Sequence, residues 1–245
     1  MRCFDKKICH LTFTHTDCVD VWKLYFPQMK KFFNVELDHF VTLDQENIHL
    51  PNYITPLIYK DGDSYSRRLL SALYKLDKYD YIFFDHEDMF LYHQADINAI
   101  KRYYDRMKLR EYDHIRLIKG GDCKYITLSN DPTLHELSLN SKWIFSIQPS
   151  LWRKDILIKI LEKNIDANVW ELEVKSQKVV KKMGLKFAFS YRSGLRRGLH
   201  HFDNNVYPYV ATAIGKGKWN LGEYSDELKP LLSQEFIDPS VRGWF

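Results

Sequence analysis

Residues 81–92 read YIFFDHEDMFLY, so that four apolar or aromatic residues run directly into Asp85, His86, Glu87 and Asp88. The apolar run predicts a buried strand over 79–84, and a second apolar run follows the acidic residues. Three carboxylates within four residues at the end of a buried strand are costly to bury without a partner. The flanking apolar runs favour a site with a ligand over a solvated acidic turn between strand and helix.

A divalent cation is the partner that best suits this stretch. On an extended backbone Asp85 and Glu87 point to the same side, whereas Asp88 points away unless the chain turns there. Mg²⁺ or Mn²⁺ would bind the carboxylate oxygens and keep coordination positions free for phosphate oxygens. The sequence therefore predicts a metal site just beyond this strand.

Strand-like and helical segments alternate on both sides of the acidic stretch. Strands are predicted over 7–13, 40–43, 57–59, 114–119, 125–128, 143–147 and 186–190. Helices are predicted after Asp17, over 64–76 with Ser64 as its cap, after Asp96, over 155–163, and over 168–183 with Gly184 as its stop. This alternation predicts an α/β fold with a mostly parallel central sheet flanked by helices, in which ligands bind beyond the carboxyl ends of the strands.

Composition limits the classes of protein that fit. A chain of 245 residues suits one large domain, 1–245, and its 45% hydrophobic and 28% charged residues exclude a disordered or fibrous protein. The net charge of +4 is scattered, which excludes a dedicated nucleic-acid binder. No glycine-rich phosphate loop is present. Without a signal peptide or an apolar run of membrane length, we expect a cytoplasmic protein with no membrane span.

The acidic stretch resembles the DxD-type motif of glycosyltransferases with the GT-A fold, in which three hydrophobic residues precede the acidic pair. Asp85-His86-Glu87 matches as a DxE form, and Glu87-Asp88 matches the paired acidic form of some smaller members. The later segments FSIQPSLWRKDIL, NVWELE and YPYVATAIGKGKW resemble compact glycosyltransferases of large algal and amoebal viruses and of some bacteria. The resemblance covers roughly residues 8–219, in matching order.

The resemblance implies a metal-dependent glycosyltransferase that uses Mn²⁺ or Mg²⁺. The enzyme would move a sugar from a nucleoside diphosphate sugar, most simply a UDP-sugar, to a glycan or other hydroxyl acceptor. Its nucleotide-binding half would span about 1–92 and its acceptor half about 93–245. The implied metal ligands are Asp85, Glu87, Asp88, His200 and His201. The implied contacts to nucleoside and phosphate are Thr14, His15, Thr16, Asp61, Arg68, Lys216 and Lys218.

Glycosyl transfer also needs a carboxylate at the reacting carbon, either to accept the proton of the acceptor hydroxyl or to stabilise the oxocarbenium-like centre. Glu171 and Glu173 are the candidates, and on a helix they would lie about 200° apart, so that only one would face the cleft. The neighbouring Trp170 gives Glu171 a slight preference. The expected sugar contacts are Gln148, Trp152 and Trp170, with Arg196 and Arg197 in a cationic loop that closes over the diphosphate.

Two other functions fit the same composition. A sugar-phosphate nucleotidyltransferase uses a related sheet and a metal, but its glycine-rich signature is missing from LTFTHTDC. A carbohydrate-binding module without catalysis would have little use for the clustered carboxylates.

Overall fold

The computed structural model of the protein describes residues 4–121, 123–197 and 201–245. The described strands are β1 (Ile8–Phe13), β2 (His39–Leu43), β3 (Ile54–Ile58), β4 (Tyr81–His86), β5 (His114–Arg116), β6 (Lys119–Gly120), β7 (Tyr125–Leu128), β8 (Asp131–Leu137), β9 (Ser150–Arg153), β10 (Phe187–Ser190), β11 (Arg196–Arg197), β12 (His201–Phe202), β13 (Ile214–Gly215) and β14 (Lys218–Trp219). The described helices are α1 (Val19–Phe32), α2 (Tyr65–Tyr74), α3 (Ile97–Lys108), α4 (Lys154–Glu162), α5 (Val169–Met183), α6 (Leu221–Gln234) and α7 (Pro239–Arg242).

The central sheet is mixed, which corrects the expectation of a mostly parallel sheet. Its nine strands run in the order β3-β2-β1-β4-β9-β5-β10-β8-β7. The first four are mutually parallel, but β9 is antiparallel to both of its neighbours, β4 and β5. The reason is that the segment before β9 lies at the carboxyl edge, where the amide of Leu117 binds the carbonyl of Pro149. A strand that begins at this edge must run back through the sheet.

Helix boundaries follow local capping chemistry. Ser64, Asp96 and Asn168 cap the amino ends of α2, α3 and α5, each by accepting a backbone N–H of the first turn. Gly184 ends α5 with a left-handed backbone at φ 62°, which glycine adopts without strain. These four caps confirm the predicted helix boundaries.

One predicted strand, 143–147, is wrong. Ile144 and Phe145 are buried as the apolar pattern requires, but their backbone amides donate to the side chain of Gln177 on α5 at 2.8 and 3.1 Å. The segment is therefore a loop held against a helix instead of a strand paired in the sheet.

Two apolar layers cover the faces of the sheet. The first lies under α1, α3 and α6, and the second under α2, α4 and α5. Alternation along β4 sends Phe83 into the first layer and Phe84 into the second. Across the ranges that the structure describes, no helix combines the length and apolar character needed to cross a membrane.

Candidate active site

The acidic turn after β4 holds two neighbouring carboxylates, Glu87 and Asp88. The strand ends at His86, and the amide of Met89 closes the turn by donating to the carbonyl of His86 at 3.0 Å. Burial raises the pKa of Glu87 to about 7. Burial and the charge of Glu87 raise the pKa of Asp88 well above its ordinary value. The turn therefore keeps two mutually repelling carboxyl groups at the carboxyl edge of the sheet.

Neither carboxylate has a cationic partner among the described residues. The thiol of Cys18 donates a hydrogen bond to Glu87, and the amide of Ile214 donates one to Asp88. Within 4–121, 123–197 and 201–245, no lysine, arginine or histidine forms an ion pair with either group. The side chain of Thr14 also acts as a donor to Glu87, but neutral donors do not neutralise two buried charges, so that a cation bound here would relieve an electrostatic cost.

Asp85 has a different environment from the pair. Its carboxylate is fully buried and accepts hydrogen bonds from His10 Nε2 at 2.9 Å and from the hydroxyl of Tyr25 at 2.8 Å. Thr12 extends this network through its hydroxyl, which lies 2.8 Å from His39 Nε2. Strand alternation places Asp85 on the side of α1, away from the opening at the turn. The structure therefore does not bring the three predicted carboxylates together as one set of ligands.

The side chains available as metal ligands at the acidic turn are few. Among the described residues, no group of three or more His, Cys, Asp or Glu side chains is arranged to hold a metal ion. The site thus offers two carboxylates, the number with which Mg²⁺ is commonly held when waters and substrate phosphates complete its coordination. Of the predicted histidine ligands, His200 lies outside the described residues. His201 is in no metal-holding group of the described residues, and its Nε2 lies 2.6 Å from the hydroxyl of Tyr224 on α6.

A polar wall continues from the turn along the carboxyl ends of β1, β2 and β3. His15 Nε2 lies 3.3 Å from Asp61 Oδ1 and 3.5 Å from Asp44 Oδ2. The hydroxyl of Thr16 donates to Asp44 at 2.7 Å, and Arg68 donates to Asp61 at 3.0 Å. The structure thus brings together four of the residues predicted to contact the nucleoside, and it adds Asp44, which follows β2 and was not predicted.

Thr14 stands apart from this wall. It is 1% exposed, and its hydroxyl accepts the indole N–H of Trp22 at 2.7 Å. Its amide donates to the hydroxyl of Thr42 at 3.1 Å. Thr14 therefore fixes the end of β1 against α1, which corrects its assignment as a direct nucleoside contact.

Both candidate acids lie on a helix, α5, and face different surroundings. Glu171 is exposed and completes a capping box by accepting the amide of Asn168 at 3.1 Å. Glu173 is half-buried and accepts the amide of Ile147 at 2.7 Å, and burial raises its pKa. Of the two, only Glu173 is turned towards the loop before β9, which favours it over Glu171 as the candidate acid. Trp170, in the first turn, is 70% exposed.

Tyr65, which the sequence did not single out, connects Glu173 with the acidic turn. Its pKa is raised by burial and then by the charges of Glu173, Glu87 and Asp88, so that its hydroxyl lies within electrostatic reach of all three carboxylates. That hydroxyl forms a hydrogen bond with His86 Nε2 at 2.8 Å, and burial lowers the pKa of His86 to about 4. Tyr65 is the first residue of α2, directly after its Ser64 cap. Its place at the start of a helix that follows a strand was the available signal for a residue near the site.

The two expected sugar contacts Trp152 and Gln148 differ in their exposure to solvent. Trp152 is 1% exposed and packs against His114 and Phe187 in the core, which corrects its assignment as a sugar platform. The central position of β9 leaves Trp152 no route to solvent. Gln148 is half-buried just before β9, where its Oε1 accepts the hydroxyl of Tyr209 at 2.6 Å.

Arg116 is a second residue that the sequence analysis missed. It ends β5, is 1% exposed, and donates to Ile118 O, Ser146 Oγ and Cys123 Sγ at 3.1, 3.0 and 2.9 Å. In the described ranges no carboxylate lies within ion-pair distance of it, and its charge acts to lower the pKa of Glu173. A lone arginine within the apolar run HIRLI was the available signal for this buried cation.

Four cationic side chains were predicted to contact the diphosphate, namely Arg196, Arg197, Lys216 and Lys218. Arg197 is held by Asp203 at 3.1 Å and by Glu227 at 2.6 Å, so its charge is already balanced, which corrects its assignment to the diphosphate. Arg196 is exposed beside it. Lys216 and Lys218 are exposed on the β13–β14 hairpin, whose Ile214 contacts Asp88. The backbone of this hairpin thus touches the acidic turn, and a phosphate contact by its two lysines stays a prediction.

Comparison with known proteins identifies the fold. No protein-family model and no curated protein sequence matches the chain. The structure of TarS, a glycosyltransferase of S. aureus, is 11% identical in sequence to this chain and superposes on it with a TM-score of 0.51. The superposition covers 96% of this chain and 40% of the TarS chain. The chain thus has the GT-A-like α/β fold of TarS and corresponds to less than half of that protein.

Two further structures have lower scores. TarS 1–349 in complex with UDP-GlcNAc is 12% identical, with 77% of this chain and 60% of that chain covered and a TM-score of 0.46. A 4-diphosphocytidyl-2C-methyl-D-erythritol synthase of Anaerococcus prevotii is 13% identical, with a TM-score of 0.47. The superposition covers 78% of this chain and 90% of that chain. The expected similarity to viral enzymes stays a prediction.

Proposed function

We propose that the protein is a metal-dependent glycosyltransferase that moves a sugar from a nucleoside diphosphate sugar, most simply a UDP-sugar, to a hydroxyl acceptor. One observation carries this proposal: Glu87 and Asp88 are neighbouring carboxylates at the carboxyl edge of the sheet, and no described residue is their cationic partner. Their raised pKa values measure the cost of keeping both charges there. A function that brings a cation and a diphosphate to this edge explains why the pair is present.

Glu87 and Asp88 would hold Mn²⁺ or Mg²⁺, and the bound ion would supply positive charge to the diphosphate as it leaves. The polar wall of His15, Asp44, Asp61 and Arg68 would receive the nucleoside, because it lies on the strands next to the acidic turn. The guanidinium of Arg68 also stacks over the ring of Tyr59, 4.9 Å from its centroid, and is thereby fixed in place.

Glu173 is the better candidate for the acid that acts on the sugar. Its half-buried carboxylate has a raised pKa and is oriented by the amide of Ile147, two properties that suit a general base. The charges of this carboxylate and of the acidic turn both raise the pKa of Tyr65, whose hydroxyl is hydrogen-bonded to His86 at the end of β4. Glu173 would accept the proton of the acceptor hydroxyl while the acidic turn holds the leaving group.

Calorimetry of UDP binding tests the metal site directly. We expect binding in the presence of Mn²⁺ and its loss on addition of EDTA. Asp88→Asn should weaken the Mn²⁺-dependent binding at least tenfold, whereas Asp203→Asn, which removes a carboxylate from the ion pair with Arg197, serves as a control that leaves binding unchanged. Equal UDP affinity with Mn²⁺ and with EDTA would refute the metal-bridged site.

The identity of the products separates the two enzyme classes. A glycosyltransferase releases UDP from a UDP-sugar, whereas a sugar-phosphate nucleotidyltransferase forms pyrophosphate from UTP and a sugar phosphate. Release of pyrophosphate, without release of UDP, would replace the proposed activity by the second class.

A further inference from the structure

The outward face of α5 has an unusual composition. Its exposed residues are Trp170, Glu171, Val174, Lys175, Lys178, Lys181 and Lys182. The opposite face buries Leu172, Ser176 and Val180 against the second apolar layer. The outward face is thus fixed in its orientation by the core beneath it, and it presents one surface to the solvent.

The charge of this outward face is strongly positive. Four lysines stand against one glutamate, Glu171, which forms an ion pair with Lys175 at 3.7 Å. In the part of the chain that the structure describes, Lys178, Lys181 and Lys182 take part in no ion pair. Three cations within little more than one helical turn are therefore available to an external anionic surface.

Exposed apolar side chains lie beside these lysines. Trp170 and Val174 are one turn apart on α5 and are 70% and 60% exposed. Trp143 is 40% exposed on the loop whose next residue, Ile144, is hydrogen-bonded to Gln177 of α5. Tryptophan side chains prefer the interfacial region of a bilayer, and lysines beside them meet its anionic headgroups.

We propose that the outward face of α5 docks on an anionic lipid bilayer. The lysines would approach the headgroups while Trp170, Val174 and Trp143 enter the boundary with the acyl chains. This arrangement of cations with apolar side chains fits a bilayer better than a soluble polyanion, which offers no apolar layer. The inference needs no membrane-spanning helix and does not depend on the proposed enzymatic activity.

Vesicle co-sedimentation with the full chain tests the inference. We expect binding to vesicles of phosphatidylcholine mixed with phosphatidylglycerol, little binding to phosphatidylcholine alone, and weaker binding as salt is raised. The triple variant Lys178→Glu, Lys181→Glu, Lys182→Glu should lower the partition coefficient at least a hundredfold, since each lysine contributes about fivefold, or about 1 kcal/mol.

The matched control is Lys23→Glu, Lys30→Glu, Lys229→Glu. These lysines are exposed on α1 and α6, which cover the opposite face of the sheet. The control makes the same change in net charge, and it should keep most of the binding. Trp170→Ser should weaken binding severalfold without changing its dependence on salt.

Three results would overturn the inference. Equal binding to neutral and anionic vesicles would exclude the lysines as the cause. An equal loss in the control triple variant would show that net charge, and not the face of α5, is responsible. Binding to heparin with the same loss in the α5 variant and no effect of Trp170→Ser would assign the face to a soluble polyanion.

Discussion

Replacement of Glu87 by glutamine should make the protein more stable at neutral and alkaline pH. The carboxylate of Glu87 is buried beside Asp88, and desolvation by burial is the main reason that its pKa rises from 4.5 to about 7. At about 1.4 kcal/mol for each unit of difference between the two pKa values, the folded state loses up to about 3 kcal/mol above pH 7. Glutamine keeps the shape of the side chain and an oxygen acceptor but carries no charge.

The sign of the pH dependence follows from the direction of the pKa change. Between pH 4.5 and pH 7 the folded state holds the proton of Glu87 that the unfolded state has released. The free energy of unfolding of the wild type therefore falls as the pH rises through this window, relative to that of Glu87→Gln. Below pH 4.5 the carboxyl group is protonated in both states, and the stabilising effect of the substitution disappears.

Urea unfolding followed by circular dichroism at pH 4.5 and at pH 8 measures this difference. We expect Glu87→Gln to gain about 1–3 kcal/mol at pH 8 and close to nothing at pH 4.5. Mn²⁺ should stabilise the wild type more than the variant, because it binds the folded wild-type site. If Glu87→Gln is less stable than the wild type at pH 8, the acidic turn is a structural element and the reasoning fails.

Three other predictions follow from the site. Asp85→Asn should cost about 2–4 kcal/mol in urea unfolding, because an amide replaces a buried carboxylate that accepts two hydrogen bonds; a loss below about 1 kcal/mol would contradict this. Glu173→Gln should keep the affinity for UDP but slow transfer at least tenfold, about 1.4 kcal/mol of barrier, in steady-state assays, and an unchanged rate would remove its catalytic role. Glu171→Ala should instead cost about 1 kcal/mol of stability with transfer retained, since it caps a helix, and a collapse of turnover with normal stability would reinstate it as the catalytic acid.

The elements that local chemistry determines could be read from the sequence. The caps at Ser64, Asp96 and Asn168 and the stop at Gly184 depend on neighbouring residues only, and the structure has all four. The direction of β9 depends on where the chain enters the sheet, which no local pattern reports. This is why a mostly parallel sheet was expected and a mixed one was found.

Only part of the candidate site could be predicted, because some of its contacts join residues that are far apart in the sequence. Glu87 and Asp88 follow a strand, and their position at the edge could be inferred from that strand alone. The partners of Asp85 are His10 and Tyr25, which are 75 and 60 residues away in the chain, so its structural role could not be seen. Trp152 was misjudged because an aromatic side chain in a central strand and one in a cleft have the same local sequence.

The position of β9 has a consequence for how the chain reaches its native state. β1, β2, β3 and β4 come from the first 86 residues and form one parallel block, but the other half of the sheet is joined to it only through Ser150–Arg153. Pairing of Ile82 with Trp152 closes a loop of about seventy residues, and loops of this length close late because of their entropy. We therefore expect the amino-terminal block to acquire its backbone protection first in pulsed hydrogen exchange, with β5 and β10 protected only after β9 has joined the two halves. The acidic turn, whose Asp88 contacts Ile214 from the later part of the chain, would then be completed only after the two halves have joined.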